Sequence, residues 1–488
     1  MKKIIICGAG IGGMVSAVYL AHKGYEVEIF EKNNKPGGKM NEFRKDGYRF
    51  DTGPSLITMP YVFSDFFKEI GRDMPDYFEL TELENACRYF WNDGTVFNSY
   101  SDIKKLYSEL MIVFGETEAD NFFRYLDYGK IFFELSEKSF LKDEFKIRNY
   151  LSKKGLLNIS KFISGRSIND LSNKFFKNKK LKQLMDRFAT YNGSTPYLAP
   201  QFFSIIPYVE FKFGPWFVKG GIFEIAKSLE KLCGELNVKI NYGFELTDIE
   251  SAGNKISKLF FNTNENELIE KKNFDILISN FTGNKNLMNK EYFDNDDWSC
   301  SGFILLLGMK KEFKNLSHHN ILFSEDYEKE FIQVFEKKIP AEDMTVYISI
   351  SKKDRNEDSP EGCENWFVLV NAPFLSSAFE WTAENKESYK NKIIKKIESF
   401  AEVSDGGIAE HMEFCEIFTP EDFMKTYNSE HGSIYGLSSN TLYTVMKRPK
   451  NKSDRFDNLY FTGGNTHPGG GVPLCFLSGK IVSKMISS

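Results

Sequence analysis

A glycine-rich turn near the start of the chain has the residue types and spacing to bind a phosphate-bearing ligand. The string Gly8-Ala9-Gly10-Ile11-Gly12-Gly13 follows an apolar run and precedes small and apolar residues typical of a helix. A strand, a glycine turn and a helix in this order bind the pyrophosphate of a dinucleotide at the positive helix end. We expect Gly8 to make the turn, Gly10 to let the backbone approach the phosphates, and Gly13 to let the helix pack on the strand.

An acidic residue stands at the distance from this turn that ribose binding requires. The predicted helix Met14 to Lys23 ends at Gly24, and the next strand, Glu26 to Phe30, is followed directly by Glu31. An acidic side chain roughly 20 residues beyond the glycines binds a ribose hydroxyl in such units. The apolar run before the turn is too short for the h-region of a signal peptide, so we interpret it as a strand.

Phosphate-binding patterns recur further along the chain. Lys35 to Lys39 places two glycines beside basic residues, and Asp51 to Ser55 follows it. A second block, 218–280, alternates a helix with short apolar strands, and a third, 459–473, is a strand that ends in glycines ahead of a helix. Helices that alternate with short apolar strands predict a parallel sheet covered on both faces.

Composition excludes several classes of protein. The 488 residues carry a net charge of -5, which gives no general attraction for nucleic acid. No run approaches the ~18 apolar residues of a spanning helix. The seven cysteines are scattered without a C-x-x-C pair, which predicts reduced thiols in the cytoplasm rather than disulfides. The adjacent pair His318-His319 lacks metal-ligand spacing, so we predict no metal site.

One segment departs from the acidic balance of the rest. From Lys142 to Gln183 the chain has twelve basic residues against three acidic ones, with aromatic and aliphatic side chains between them. Such a segment is typical either of a solvated face or of a helix that lies on an anionic membrane.

The high phenylalanine content also has two interpretations. The 47 phenylalanines could line an aromatic cavity for a large apolar ligand, or they could reflect a codon bias.

The three blocks together resemble the phytoene desaturase branch of the flavin amine oxidase superfamily, and the likeness spans nearly the whole chain. Its most specific string is Thr466-His467-Pro468-Gly469-Gly470-Gly471-Val472-Pro473, which is similar to the C-terminal signature of bacterial carotenoid desaturases. The resemblance implies an α/β fold, a glutathione-reductase-like FAD-binding Rossmann domain with an inserted α+β substrate domain. The implied FAD-binding segments are 1–75, 215–285 and 445–488, and the implied substrate-binding segments are 76–214 and 286–444.

The resemblance also implies the cofactor residues. Those on the pyrophosphate and ribose side are Gly8, Gly10, Gly12, Gly13, Glu31, Lys32, Gly38 and Lys39, and Leu246 would meet adenine through its backbone. Those toward the flavin are Pro54, Ser55, Asn280, Gly464, Asn465, Gly471, Val472 and Pro473. Asn465 and Leu474 depart from the family pattern, which has small residues at both positions.

Local strings within this branch look closer to the 1-hydroxycarotenoid 3,4-desaturases, the methoxyneurosporene dehydrogenase type, and Arg187 to Tyr197 is one of them. The implied reaction removes two hydrogens from a CH2–CH2 unit beside a polyene, with hydride transfer to the flavin. Because the chain has a single dinucleotide fingerprint, we expect FAD to be reoxidised by oxygen or a quinone. Glu210 and His467 are candidate bases by residue type, but no catalytic residue is assigned.

Four other functions remain open at this point. A phytoene desaturase and a redox-neutral carotenoid cis–trans isomerase share the same flavin frame. An amine oxidase would need an aromatic cage beside the flavin. A prenyl-binding carrier of the Rab escort type has the same fold without catalysis.

Because a carotenoid must be collected from lipid, we also expect the chain to contact a membrane peripherally, through the basic segment 142–183.

Overall fold

The computed structural model describes residues 2–137, 141, 165–281, 283–288, 292, 294, 297–404 and 407–488. The strands in chain order are β1 (Lys3–Cys7), β2 (Glu26–Glu31), β3 (Glu42–Lys45), β4 (Tyr48–Asp51), β5 (Leu80–Glu82), β6 (Asn85–Phe90), β7 (Val96–Tyr100), β8 (Trp216–Val218), β9 (Lys239–Tyr242), β10 (Phe244–Ala252), β11 (Lys255–Thr263), β12 (Leu268–Lys271), β13 (Ile276–Ser279), β14 (Ser301–Met309), β15 (His319–Leu322), β16 (Val346–Ser349), β17 (Glu364–Ala372), β18 (Met412–Phe418) and β19 (Leu459–Phe461). The helices are α1 (Ile11–His22), α2 (Tyr61–Glu69), α3 (Ile103–Phe114), α4 (Glu116–Ser136), α5 (Ile168–Phe175), α6 (Lys179–Asp186), α7 (Ile205–Phe213), α8 (Phe223–Glu235), α9 (Tyr327–Phe331), α10 (Ala383–Glu398), α11 (Ala401–Ser404), α12 (Pro420–Tyr427), α13 (Leu442–Met446) and α14 (Val472–Ser487).

A five-stranded parallel sheet joins the three predicted blocks. Its strand order is β19-β13-β1-β2-β9, so the N-terminal strand lies in the middle of the sheet. Ile4, Ile5 and Ile6 are fully buried because both faces of the sheet are covered, and α1 packs between the sheet and helices α8 and α14. The parallel α/β sheet predicted from sequence is confirmed, and the domain boundaries at 75, 215, 285 and 445 stay a prediction.

The second sheet is built from segments on both sides of the 215–285 block. Its strand order is β18-β14-β17-β16-β15-β6-β7, with the pair β15–β6 parallel and the other pairs antiparallel. Every residue of β14 is buried, and Phe303, Leu305 and Leu307 belong to one core with Trp366 and Val368 of β17. The mixed sheet and the helices around it fit the predicted α+β architecture.

One part of the second block differs from the prediction. The segment Phe244 to Ile249 does not join the parallel sheet, because β10 pairs instead with β11, which also pairs with β12 in a separate antiparallel sheet. A tight turn at Gly253, with φ +59°, reverses the chain after β10. Phe261 of β11 stacks on Phe30 of β2 at 4.5 Å between ring centroids, which fixes the small sheet beside the end of β2.

The basic segment 142–183 is described only in part. Residues 142–164 lie outside the described residues, and α5 with most of α6 covers 168–183. On the described part, Lys177 and Lys179 are exposed, while Lys180 pairs with Asp93 and Thr95 across the surface. Within the described ranges, no helix is long and apolar enough to cross a membrane.

Candidate functional site

The carboxyl ends of three central strands meet at the glycine turn. β1 runs into Gly8, β13 into Asn280, and β19, through Thr462, into Gly463. Gly8 has φ +101°, and its backbone N–H donates to the carbonyl of Phe30 at 2.7 Å. Ligands of parallel sheets bind at this edge, where the N-terminus of α1 also presents free backbone N–H groups.

Two glycines of the turn are required by backbone packing. A Cβ on Gly13 would lie 2.3 Å from the carbonyl oxygen of Gly8, and a Cβ on Gly12 would lie 2.7 Å from the backbone nitrogen of Gly463. The first contact agrees with the expected packing of the helix on the strand. The second was not foreseen from sequence: Gly12 lets α1 lie directly against the loop after β19.

Gly10 differs from these two. A Cβ there would meet the amide nitrogen of Asn280 at 2.3 Å, which is the end of a side chain rather than backbone. The Oδ1 atom of Asn280 is buried and has no hydrogen-bond partner in the described part of the chain. A cradle without side chains beside an unpaired buried amide oxygen fits a polar ligand such as a dinucleotide.

The carboxylate of Glu31 lies beside the turn, at the end of β2. Its Oε2 accepts a hydrogen bond from the backbone N–H of Ala9 at 2.7 Å, and its Oε1 accepts from the backbone N–H of Asn33 at 2.9 Å. Two backbone donors fix the carboxylate in a site that is only 6% exposed. Oε1 also accepts from the side-chain amide of Asn33 at 2.9 Å, so Oε2 is the oxygen that keeps a lone pair for a ribose hydroxyl.

A cavity of about 1370 Å³ opens from the glycine turn. Every cofactor residue predicted from sequence lines it except Gly13, which lies in the packing contact with Gly8. The other part of its wall is largely apolar and includes Leu135, Ile205, Ile206, Val209 and Ile321. The cavity therefore joins a polar cradle to a space suited to an apolar chain.

Lys39 is a half-buried cation that lines the polar part of this cavity. Its Nζ donates to the carbonyl of Ile434. Burial lowers the pKa of Lys39 to about 8, although the carboxylate of Glu430 acts in the opposite direction. The ammonium group therefore begins to lose its proton just above neutral pH.

Lys32 lies at the cavity with its charge already engaged. Its Nζ donates to Oε1 of Glu245 at 3.2 Å and to Oδ1 of Asn428 at 2.6 Å. The sequence could not indicate these partners because both come from distant parts of the chain. Another cation at the cavity, Arg448, was not predicted from sequence; it is half-buried and donates to the carbonyl of Gly464 at 2.9 Å.

Ser55 begins a hydrogen-bonded chain that sequence reasoning missed. Its Oγ lies 2.5 Å from the Oη of Tyr347, which lies 2.8 Å from Nδ1 of His319. Burial lowers the pKa of His319 well below its ordinary value, and electrostatic repulsion from its neighbours, Arg187 among them, acts in the same direction, so the imidazole is neutral. His318 instead pairs with Asp354 at 2.7 Å.

The remaining candidates also lie at the cavity. Glu210 forms part of a charged cluster with Arg187 and Tyr191 in the apolar wall. His467 is buried, and its carbonyl accepts hydrogen bonds from Asn451 and Ser478. Across the described residues, no group of His, Cys, Asp or Glu side chains has the geometry of a metal site.

Comparisons with known proteins identify relatives over the full length of the chain. The family model described as flavin containing amine oxidoreductase matches residues 11–279. The 1-hydroxycarotenoid 3,4-desaturase of Flavobacterium sp. (strain P99-3) is 36% identical over 490 residues, which cover 100% of this chain and 99% of that protein. The 4,4'-diaponeurosporene oxygenase of Staphylococcus haemolyticus (strain JCSC1435) is 31% identical, with 100% and 97% covered.

A solved structure supports the fold. The oxidoreductase from Methanosarcina mazei superposes with a TM-score of 0.63 at 15% identity and covers 100% of both chains. At this identity the match bears on the fold alone. It agrees with a Rossmann-type FAD domain that carries a second domain.

We expect Gly10→Ala to lower FAD affinity without unfolding the protein. The new Cβ displaces only the end of the Asn280 side chain, but it projects toward the proposed path of the phosphates. The Kd for FAD, measured by titration of the apoprotein, should rise at least about tenfold, which corresponds to ~1.4 kcal/mol. Gly234→Ala is the matched control, because a Cβ there has no described atom within 4 Å. An unchanged Kd in Gly10→Ala would place the pyrophosphate elsewhere.

Gly13→Ala should behave in the opposite way. Its Cβ meets a backbone oxygen that cannot move without displacing β1 or α1, so the free energy of unfolding should fall. Thermal unfolding of the FAD-free protein measures this effect separately from binding. A Gly13→Ala apoprotein as stable as the Gly234→Ala control would contradict the packing role.

FAD binding should weaken as the pH rises through about 8, the pKa of Lys39 in the ligand-free protein. The protonated ammonium attracts an anionic ligand, and the neutral amine formed at higher pH does not. Kd values measured between about pH 7 and about pH 9 test this dependence. Lys39→Arg should flatten the profile, because a guanidinium stays charged over this range. A flat profile for the unsubstituted protein would show that Lys39 is not a cofactor contact.

Proposed function

The chain belongs to the flavin containing amine oxidoreductase family, and we propose that it is an FAD-dependent carotenoid desaturase. The single observation that carries the proposal is the continuity of the glycine cradle with a long apolar wall in one cavity. The glycine cradle is suited to the pyrophosphate of FAD, and the apolar wall is suited to a water-insoluble polyene. The 36% identity to a 1-hydroxycarotenoid 3,4-desaturase supports the same substrate class.

The cofactor residues that we propose follow the polar part of the cavity. Gly8, Gly10 and Gly12 would bind the pyrophosphate, with Glu31 on the ribose. Lys39 and Lys32 would lie on the phosphate side, and the backbone of Leu246 beside adenine. The residues proposed to border the flavin ring are Pro54, Ser55, Asn280, Gly464, Asn465, Gly471, Val472 and Pro473. When bound, FAD supplies the two-electron chemistry that accepts a hydride from a CH2–CH2 unit of the substrate.

The protein's own part is to orient the substrate and to exclude water. Side chains such as Ile205, Ile206 and Val209 along α7 give the polyene an apolar surface. Loss of a hydride leaves positive charge on the substrate, and the conjugated chain delocalises that charge. Removal of the proton from the adjacent carbon therefore needs no strong base. His319 lies at the cavity, but the burial that keeps its imidazole neutral also makes it a weak base, so no residue is assigned as the base.

We further propose that the substrate is a 1-hydroxylated carotenoid and that the bond formed is C-3,4. A second candidate is oxygenation of a related polyene end, which is favoured by the 31% identity to a 4,4'-diaponeurosporene oxygenase. The two reactions differ in their products: desaturation removes two hydrogens, and oxygenation adds an oxygen atom. The electron acceptor that we propose is oxygen or a quinone.

Peripheral membrane contact is part of the proposal, because a carotenoid resides in lipid. The described part of the basic segment supplies exposed lysines, Lys174, Lys177 and Lys179. Cationic side chains beside apolar ones are attracted to anionic lipid surfaces. The structural support for membrane contact comes from residues 165–183, because 142–164 lie outside the described residues.

The substrate proposal predicts a specific product. With a 1-hydroxylated carotenoid that has a saturated 3,4 bond, the FAD-loaded protein should form a product lacking two hydrogens, without added NAD(P). Its absorption maximum should lie at longer wavelength because conjugation is longer by one double bond. Chromatography with mass detection measures the loss of two hydrogens, and absorbance spectra of the same peaks give the absorption maximum. Gly10→Ala without FAD is the negative control.

Three outcomes would revise the proposal. Faster conversion of phytoene than of the hydroxylated carotenoid would overturn the subfamily assignment and keep the desaturase. Gain of an oxygen atom would favour the oxygenase. No change in any carotenoid by flavin-loaded protein would overturn both reactions.

Membrane contact should depend on charge. Binding to vesicles with an anionic lipid should fall as salt is added, since each basic residue near the surface contributes about 1 kcal/mol that salt screens. The variant Lys177→Glu, Lys179→Glu, Lys182→Glu should bind more weakly, and Lys180 is kept because it pairs with Asp93. The control with equal charge change is Lys337→Glu, Lys392→Glu, Lys395→Glu. Equal sedimentation of the two variants with vesicles would assign the segment to an ordinary solvated face.

A further inference from the structure

A charged cluster is buried in the part of the cavity wall that is otherwise apolar. It consists of Arg187, which follows α6, Glu210 of α7, and the phenol rings of Tyr89 and Tyr191. Arg187 is 6% exposed and Glu210 is 2% exposed. Arg187, Tyr191 and Glu210 all line the cavity. A substrate in the cavity therefore meets this cluster directly.

The cluster is held together by hydrogen bonds. Tyr191 donates from its Oη to Oε2 of Glu210 at 2.5 Å, while Nη2 of Arg187 lies 3.4 Å from Oε1 of Glu210 and also donates to the Oη of Tyr89. The guanidinium lies over three aromatic rings, with 4.3 Å to the ring centroid of Phe188. Nη1 of Arg187 also donates to the Oη of Tyr191 at 3.4 Å, so both terminal nitrogens are engaged and the guanidinium has a fixed orientation.

Among the described residues, one hydrogen-bonding position of the cluster is unfilled and a second is only weakly filled. Nε of Arg187 is buried and has no partner among the residues that the structure describes. Within the same residues, the one hydrogen bond to Oε1 of Glu210 is the long one from Arg187. An unpaired buried donor destabilises the protein, and an apolar pair of similar volume would usually pack at least as well as a buried ion pair. The cluster is therefore better explained by a ligand than by stability.

We propose that Arg187 and Glu210 form a subsite for the hydroxyl group of the substrate. The guanidinium Nε–H would donate to the hydroxyl oxygen, and the hydroxyl would donate to Oε1 of Glu210. A hydroxyl is the one common oxygen group that fills both positions, because a carbonyl only accepts and a hydrocarbon end does neither. The inference rests on the proposed function and names the feature of the substrate that this cavity selects.

The protonation of the cluster keeps the subsite constant over physiological pH. Burial disfavours the charged form of Arg187, but Tyr89, Tyr191 and Glu210 outweigh this effect and hold the pKa of Arg187 well above its ordinary value. Burial and the neighbouring carboxylate of Glu210 raise the pKa of Tyr191 well above its ordinary value. The donors therefore stay donors, and hydroxyl recognition should not change between about pH 6 and about pH 9.

The test is equilibrium binding of two matched polyenes to the FAD-loaded protein. The probes are a 1-hydroxylated acyclic carotenoid and the same carotenoid without the hydroxyl, both delivered from detergent. The flavin is kept chemically reduced under anaerobic conditions, so it cannot accept hydride from the probe, and quenching of tryptophan fluorescence then gives Kd without turnover. The unsubstituted protein should bind the hydroxylated polyene at least about tenfold more tightly, because the other probe leaves Nε of Arg187 unpaired and leaves Oε1 of Glu210 with its single long hydrogen bond.

Two variants separate recognition from folding. Arg187→Lys keeps the charge beside Glu210 but removes the Nε donor, and it should lose most of the preference. The double variant Arg187→Met, Glu210→Met replaces the ion pair by apolar side chains, which buried sites usually tolerate. It should bind the polyene without a hydroxyl at least as tightly as before. Met185→Leu, a change of similar volume at a buried position of α6 that does not line the cavity, is the control that should keep the preference.

Each result decides the inference. A preference that disappears in both variants, with FAD content and unfolding temperature unchanged, supports the subsite. A preference retained in the double variant, or absent in the unsubstituted protein, overturns it while leaving desaturation to be judged from products. Selective binding of the hydroxylated polyene without any product would uphold the subsite and overturn the proposed reaction. Failure to bind either polyene would overturn both.

Discussion

The close approach of three backbone segments around the start of α1 is the constraint on which the rest of the structure depends. The helix reaches the carbonyl of Gly8 on one side and the loop at Gly463 on the other, at distances that exclude any side chain on Gly13 or Gly12. Ser16, one turn further along α1, extends this contact by a hydrogen bond to Thr462 at 3.4 Å. The edge of the parallel sheet, the walls of the cavity and the positions of Glu31 and Asn280 all follow from this contact, because each lies at the end of a strand that it aligns.

The sequence predicted those parts of the fold that depend on local patterns. Short apolar strands beside glycine turns gave the parallel sheet, and the spacing between Gly8 and Glu31 gave the placement of the carboxylate. The antiparallel sheet β10 to β12 was missed because β10 follows directly after β9 of the parallel sheet, and the turn at Gly253 makes β11 its partner. The links of Ser55 to Tyr347 and of Arg187 to Glu210 depend on pairing across the fold, and no local spacing indicates them.

Two cations that line the cavity, Lys39 and Arg187, have different surroundings. Lys39 loses part of its proton affinity through burial, while Arg187 keeps its charge because anionic and aromatic groups surround it. An amine whose pKa lies near the ambient pH takes up a proton when an anion binds beside it. A guanidinium that packs against aromatic rings instead has a fixed charge and a fixed orientation. The polar cradle can therefore adapt to its ligand, and the apolar part selects by geometry.

The order of strands in the parallel sheet has a consequence for how the chain acquires its structure. β1 pairs with β13, and β13 pairs with β19, so neighbouring strands are separated by more than a hundred residues of chain. Contacts of such high sequence separation form slowly, because the chain entropy is lost before the pairing stabilises it. During synthesis on the ribosome, the edge of β13 stays open until residues 459–461 have emerged. Unpaired edges of this kind are where partly folded chains associate, so the nascent protein has a long interval of exposure to aggregation.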